Sequence, residues 1–251
     1  MNMGTLTAII LTKNEERHIR GAVENAAKWA DQILVVDSGS TDQTVELAKE
    51  LGADVVFRAW DGDFSAQRNF ALGSAKGEWV FYLDADERLT PSAAAKVRAV
   101  KIGPADHQYS LKRENIAFGH HYHRGAFGPD RVTRLFPKGA VTWVGKVHER
   151  PECALPCTDL AETIEHHTYD SYAQWWEKAG HYTTIWADEA WEQGRTATPA
   201  KAALHALAGM FKVFILQGGI SEGSMGFVAT LQHGIYTAMK YMKLAEKSWL
   251  E

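Results

Sequence analysis

Cysteine is scarce, with Cys153 and Cys157 the only two in 251 residues. That excludes a disulfide scaffold and points to a reducing compartment. Their Cys-x-x-x-Cys spacing is at most half a zinc site, and no second pair follows at zinc spacing. Long hydrophobic runs are also missing. A membrane span needs about 20 nearly uncharged apolar residues. The best stretch, residues 204–217, is shorter and contains His205 and Lys212, so no span is expected. The first fifteen residues lack a basic segment ahead of the apolar run and a small-residue cleavage site, so no secretory leader is expected either. Neither G-x-G-x-x-G after the first strand nor G-x-x-x-x-G-K-[ST] occurs, which argues against a dinucleotide dehydrogenase and a P-loop NTPase. No basic run interleaved with aromatics supports nucleic-acid binding.

What remains is the composition of a soluble globular protein, 45% hydrophobic and 23% charged, which excludes disorder and collagen-like repeats. The length suits one large domain or a domain with an appendage. A net charge of −4 conceals an asymmetry. Residues 101–150 hold nine basic and four acidic side chains, and residues 151–200 hold two and nine. The basic block suits an anionic ligand such as a diphosphate. For any single Lys or Arg, a solvated surface is the plainer reading.

The first hundred residues alternate strand and helix. Residues 6–11 (LTAIIL) form a continuous apolar run, as expected of a strand covered on both faces. Asn14 can cap a helix whose first turn holds Glu15 and Glu16, with Ile19, Val23, Ala26 and Ala30 at helical spacing. Strands are predicted at 33–36, 54–57 and 79–83. Helices carry Val45, Ala48 and Leu51, then residues 65–75, and Thr90-Pro91 opens another. Gly52 ends the second helix. This order implies a parallel α/β sheet.

In such sheets ligands sit beyond the carboxyl ends of the strands. Thr12 and Asn14 follow the first strand. Asp37, Ser40 and Asp42 follow the second. Asp84, Asp86 and Glu87 follow the fourth. The plainer reading is that Asp37 and Asp42 make an Asx-turn and a helix cap; that explains Asp42 alone and not polar and acidic loops at three strand ends. Asp84-Ala85-Asp86 carries the most chemistry. Two carboxylates separated by one small residue can face Mg²⁺ or Mn²⁺, which keeps waters and substrate phosphates in its other positions.

The segments AIILTKNEE, ILVVDSGSTDQT, FSAQRNFAL and GEWVFYLDADERLT resemble the successive motifs of family 2 inverting glycosyltransferases of the GT-A fold. The resemblance covers residues 5–150. Within that family it is closest to bacterial enzymes that add sugars to lipopolysaccharide core, by Gln67-Arg68-Asn69, Arg134-Leu135-Phe136 and His148-Glu149. It implies an α/β fold with a Rossmann-like, mostly parallel sheet flanked by helices and a C-terminal helical extension. The implied catalytic domain is residues 1–165, with a nucleotide-sugar half (1–100) and an acceptor half (101–165); residues 166–251 form the extension.

By the same resemblance, Thr12, Asn14 and Asp37 contact the nucleoside, with Asp37 on the base edge. Arg68 lies near the uridine or its diphosphate. Glu15, Ser40 and Arg134 complete the donor-binding set. Asp84 holds ribose or metal-bound water, and Asp86 ligates Mg²⁺ or Mn²⁺. The chemistry is reasonable, since a carboxylate accepts from a ring N–H and Arg offers a planar fork to phosphate. For Gln67, Arg68 and Asn69 an exposed helix face is the alternative, and the functional reading is preferred. The implied donor is UDP-glucose and the implied acceptor an inner-core heptose or related glycolipid. The implied location is cytoplasmic, peripheral on the inner face of the membrane. Two other readings keep the fold: transfer to a protein or peptide, and a non-catalytic nucleotide-sugar-binding module.

Inversion requires one in-line displacement, with a general base taking the acceptor proton while a metal stabilises the departing diphosphate. Glu149, Asp130 and His148 are the candidates. Glu149 is chosen as base, at the end of a strand predicted over 141–147, with His148 as a further metal or diphosphate ligand. A structural hydrogen bond at a strand end is the alternative for both. His120, His121 and His123 read as an exposed loop beside the acceptor cleft. Arg131 and Arg134 flank a strand and are placed to meet phosphate.

In the last third, Ser171-x-x-Gln174 is a capping box before an aromatic-striped helix. Thr198-Pro199 starts another, and Gly218-Gly219 breaks it. A final helix over 225–247 sets Val228, Leu231 and Ile235 on one side and Lys240, Lys243 and Lys247 on another. That basic face suits an anionic membrane surface, and a packed hairpin with a solvated face is the plainer reading. The helical segment also suits a homodimer contact.

Overall fold

The computed structural model describes residues 4–146 and 149–249. Its first half alternates as the patterning predicts. β1 (Leu6–Thr12), α1 (Glu16–Ala26), β2 (Gln32–Asp37), α2 (Thr44–Glu50) and β3 (Asp54–Phe57) are followed by α3 (Phe64–Ser74) and β4 (Trp79–Tyr82). Then come β5 (Glu87–Leu89), α4 (Pro91–Val100), β6 (Gln108–Ala117), β7 (His120–His121) and β8 (Asp130–Pro137). The chain continues through β9 (Thr142–Val144), β10 (Arg150–Glu152), β11 (Cys157–Tyr169), α5 (Tyr172–Glu192), α6 (Pro199–Phe211) and α7 (Gly223–Lys247).

The main sheet runs β3-β2-β1-β4-β8-β6-β11-β5. β3, β2, β1 and β4 pair in parallel, and β8 joins β4 antiparallel. The α/β expectation, a Rossmann-like sheet flanked by helices with helices at the C-terminus, is borne out. β1 is buried at six of seven positions, as a central strand with both faces covered must be. Leu6, Ala8 and Ile10 enter one core cluster while Ile9 enters the other, by the two-residue period of a strand.

Register then positions the site. Thr12 lies opposite Asp37, and Ile9 opposite Tyr82. The loops after β1, β2 and β4 therefore emerge along one edge.

Two local expectations are corrected. Asn14 does not cap α1. Its backbone is left-handed (φ 56°), a conformation Asn tolerates better than most residues, and Glu15 occupies the cap position. The Asn14 side chain instead accepts from Thr41 N–H at 2.8 Å. Asp42 supplies an acceptor to α1 from the next loop, taking the Glu16 N–H at 3.2 Å. The strand expected over 141–147 is shorter, Thr142–Val144, and Val147 and His148 lie outside the described residues. β5 was not expected; three residues are too few to show a period.

Two compact units divide the chain, Met1–Arg113 with Asp130–His166 and Glu114–Pro129 with His167–Glu251. The second is mostly helical. Ser171 caps α5 by accepting from Gln174 N–H, and Thr198 caps α6 likewise from Lys201 N–H. α6 runs into a π-helical turn, Lys212–Leu216. The basic face expected on α7 is turned inward onto α5. Lys240 sits over the Trp186 ring, Lys243 donates to Gly180 O and the Thr183 hydroxyl, and Lys247 pairs with Asp188 at 2.6 Å. Among the described residues, Pro199–Leu216 is one helix long and apolar enough to cross a membrane, by length and composition alone.

Candidate active site

The loops after β1 and β2 are stitched together. The Ser40 hydroxyl accepts from Asn14 N–H at 2.9 Å, and Thr44 Oγ1 accepts from Glu15 N–H at 2.8 Å. Asp37 is buried, and its carboxylate accepts from Gly39 N–H, Ser40 N–H and the Ser40 hydroxyl. An Asx-type turn thus shapes this loop and fixes the carboxylate at the strand end. Across from it, Thr12 Oγ1 is buried without a hydrogen-bond partner among the described residues. A buried polar atom of that kind calls for a ligand or water.

Beyond β4 the charges condense. Arg134 Nη2, from β8, reaches Asp84 Oδ2 at 2.5 Å and Glu87 Oε1 at 2.6 Å. Glu87 has a fully buried side chain, and its Oε2 accepts from Asp84 N–H at 3.1 Å. Arg113 joins it to Asp130, with Nη1 3.4 Å from Glu87 and Nη2 2.7 Å from Asp130. Burial works against ionising Asp84, but Arg134 and then Arg68 hold its carboxyl far below the usual range. Burial pushes Glu87 the other way, upward, and the Asp84 charge adds to this against Arg134. The two neighbouring carboxyl groups are thereby pulled apart, the arrangement that separates charged from protonatable groups in active sites.

Arg68, on α3, faces this cluster. Its guanidinium lies over the Trp143 ring at 4.5 Å and contacts Glu149 Oε1 at 3.2 Å and Asp84 Oδ1 at 3.5 Å. The residues on either side explain why it points there. Asn69 clasps the Trp143 backbone, donating to its C=O at 2.8 Å and accepting from its N–H at 2.9 Å. Gln67 is buried and donates to the carbonyls of Arg58 and Ala59. Neither is an exposed helix face; both anchor α3 so that Arg68 projects into the site. A cavity of 300 Å³ is lined by Arg68, Asp84, Arg113, Arg134, Trp143 and Glu149, among others.

Asp86 and Arg88 interact electrostatically. Asp86 Oδ2 is 3.4 Å from His166 Nε2, brought there by the β5–β11 pairing that sets Glu87 opposite His166. Two ligand atoms on adjacent positions of an octahedral ion sit about 3 Å apart. Of the two side chains, the Asp86 carboxylate is the ligand type that Mg²⁺ and Mn²⁺ take. No group of three or more metal-ligating side chains occurs among the described residues. Asp84, named with Asp86 for the metal, is occupied here by two guanidinium groups.

Sequence reasoning missed Glu87 as an organiser and His166 altogether. His166 comes beside Asp86 through antiparallel pairing some eighty residues on in the chain, which no local pattern reveals. Arg131 is held elsewhere, donating to Ser110 Oγ and Leu160 O. Three residues from Arg134 on one strand, it lies on the opposite face. Asp130 is engaged by Arg113. In the other unit, His120 pairs with Glu222 at 3.0 Å. His148 lies outside the described residues.

The chain is similar to several known proteins. Residues 7–106 match the Glycosyl transferase family 2 model. The chain is 27% identical to an uncharacterized glycosyltransferase of Rickettsia bellii, over 96% of this chain and 85% of that protein. It is 32% identical to the SPbeta prophage-derived glycosyltransferase SunS of Bacillus subtilis, over 59% of this chain and 35% of that protein. Among solved structures it is similar to glucosyl-3-phosphoglycerate synthase of Mycobacterium tuberculosis, at 22% identity and a TM-score of 0.38, covering 45% of this chain and 44% of that one. Residues 7–106 thus resemble a family 2 glycosyl transferase domain, and the near full-length likeness is to an uncharacterized glycosyltransferase.

Proposed function

We propose that this chain is an inverting glycosyltransferase that moves glucose from UDP-glucose to an inner-core heptose of lipopolysaccharide or a related glycolipid. A nucleotide-sugar donor fits the family. The observation that carries the reading is the single cavity joining Arg68, Asp84, Arg134 and Glu149 at the carboxyl edge of the parallel strands. It combines cationic forks for a diphosphate with a carboxylate able to accept a proton.

The reaction needs one displacement. The acceptor hydroxyl oxygen bonds to the anomeric carbon, the bond from that carbon to the diphosphate oxygen breaks, and the nucleoside diphosphate leaves with the electron pair. Glu149 takes the hydroxyl proton. In this structure Arg68 holds Glu149. The incoming diphosphate competes for that guanidinium, and Glu149 is released as Arg68 turns to phosphate. Arg134 and Arg68 keep Asp84 ionised, and Glu87 holds its backbone N–H. Thr12 and Asp37 line the nucleoside end. Asp86 and His166 would hold a divalent cation, which when bound neutralises charge on the departing diphosphate.

Thermal shift with Mn²⁺ across UDP-, GDP- and ADP-sugars tests the donor. Stabilisation by UDP-glucose alone is expected, and selective stabilisation by a GDP- or ADP-sugar would replace it. Transfer to purified heptose-containing core oligosaccharide, read by mass spectrometry, tests the acceptor.

A further inference from the structure

Two helices of the second unit are inside out. On α6 and its π-helical turn, Leu204, Leu207, Phe211 and Ile215 are 67%, 65%, 59% and 46% exposed. Their spacing of three, four and four residues makes one outward stripe. The inward face carries small groups instead. Ala202 is buried, and a Cβ on Gly209 would lie 3.0 Å from His233 Nε2 of α7. α7 repeats the pattern, with Phe227, Leu231 and Ile235 outward and Gly226, Ala229 and Gly234 buried. A Cβ on Gly234 would lie 2.5 Å from Met210 Sδ. A helix in water does the reverse, hiding its large apolar side chains. Small residues at the helix contact and large ones outward is the arrangement of helices solvated by lipid.

The charge around this surface has one sign. Between residues 197 and 245 the only acid is Glu222, and its carboxylate accepts from His123 N–H at 2.9 Å and pairs with His120. Lys201 and Lys212 are exposed on the α6 side. Exposed Arg124 packs along Gly218, between the exposed Leu216 and Ile220 of the connecting turn. A second copy meeting this face about a two-fold axis would bring the same basic rim against itself, which is costly. Anionic lipid headgroups complement it.

We propose that the α6–α7 hairpin is a membrane-docking element that lies in the headgroup region of an anionic bilayer. Leu207, Phe211 and Leu216 enter the acyl boundary, and Lys201, Lys212 and Arg124 meet lipid phosphates. These residues take no part in the sugar-transfer cavity, so binding can be read without activity.

The test is vesicle flotation of the full chain. Binding to equimolar phosphatidylcholine and phosphatidylglycerol should be roughly tenfold or more tighter than to phosphatidylcholine alone. Leu207→Glu with Phe211→Glu should abolish it with an unchanged circular-dichroism melt. The neutral pair Leu207→Ser with Phe211→Ser should weaken it in the same direction. Lys201→Glu with Lys212→Glu should remove the preference for phosphatidylglycerol. Wild-type protein that stays with the lipid-free fraction overturns the proposal, as does undiminished binding by the Glu pair. A lipid-independent dimer by light scattering that the Glu pair splits, without vesicle binding, would give the surface to a second copy instead.

Discussion

Arg68 Nη2 lies 3.2 Å from Glu149 Oε1, so the carboxylate assigned as general base is held by the guanidinium assigned to the diphosphate. The pair links the two halves of the reaction. Glu149→Gln keeps the shape and the hydrogen bond but cannot take a proton. Transfer should fall about 10²–10⁴-fold. UDP-sugar affinity by calorimetry should change little, and a loss of donor binding equal to the loss of rate would remove Glu149 from the base role.

Arg68→Lys should behave as a severe change. Lysine cannot spread over Trp143 or fork between two anions. Losing one charged hydrogen bond costs about 1.5–3 kcal/mol, so donor affinity should weaken roughly tenfold or more. Full retention of affinity would place the diphosphate elsewhere.

Glu87→Ala should cost stability first. It leaves the buried Arg134 with Asp84 alone and removes the acceptor for Asp84 N–H. Breaking a buried pair from one side costs about 3–5 kcal/mol. Urea unfolding of the variant measures it. A change within error would mean that water replaces the carboxylate.

The depressed Asp84 carboxyl predicts an acid limb. A group whose folded pKa lies below its unfolded value, about 3.9, contributes stability above that value and loses it as pH falls toward the folded one. The melting temperature of wild-type protein should exceed that of Asp84→Asn most above pH 5. The gap should narrow below pH 4. A gap that widens on acidification contradicts the assigned direction.

Asp86→Ala and His166→Ala should each weaken Mn²⁺ binding, titrated by calorimetry in the presence of UDP. Chelation should lower the melting temperature of the UDP complex of the wild type more than that of either variant. Wild-type Mn²⁺ affinity in His166→Ala would leave the Asp86–His166 contact a purely structural one.

Much of the parallel strand–helix segment was legible in order along the chain. Apolar runs separated by helical spacing marked β1 to β4, and the polar residues after them fell on one edge because parallel strands end together. Arg68 stood out by its motif. Its neighbours Gln67 and Asn69 could not be read, because their partners are backbone atoms of residues 58, 59 and 143.

The sequence by itself determined the α/β alternation, the acidic turn after β4 and the helical caps at Ser171 and Thr198, since each depends on residues within one turn or one strand. Only the tertiary structure decided which charge meets which. Arg134 on Asp84 and Glu87, Arg68 on Glu149, and His166 beside Asp86 are pairings made by strand register and helix placement across 47 to 81 residues. The same holds for the C-terminal helices. Composition showed an apolar side and a basic side on α7, but packing against α5 decided that the lysines turn in and the large apolar side chains turn out.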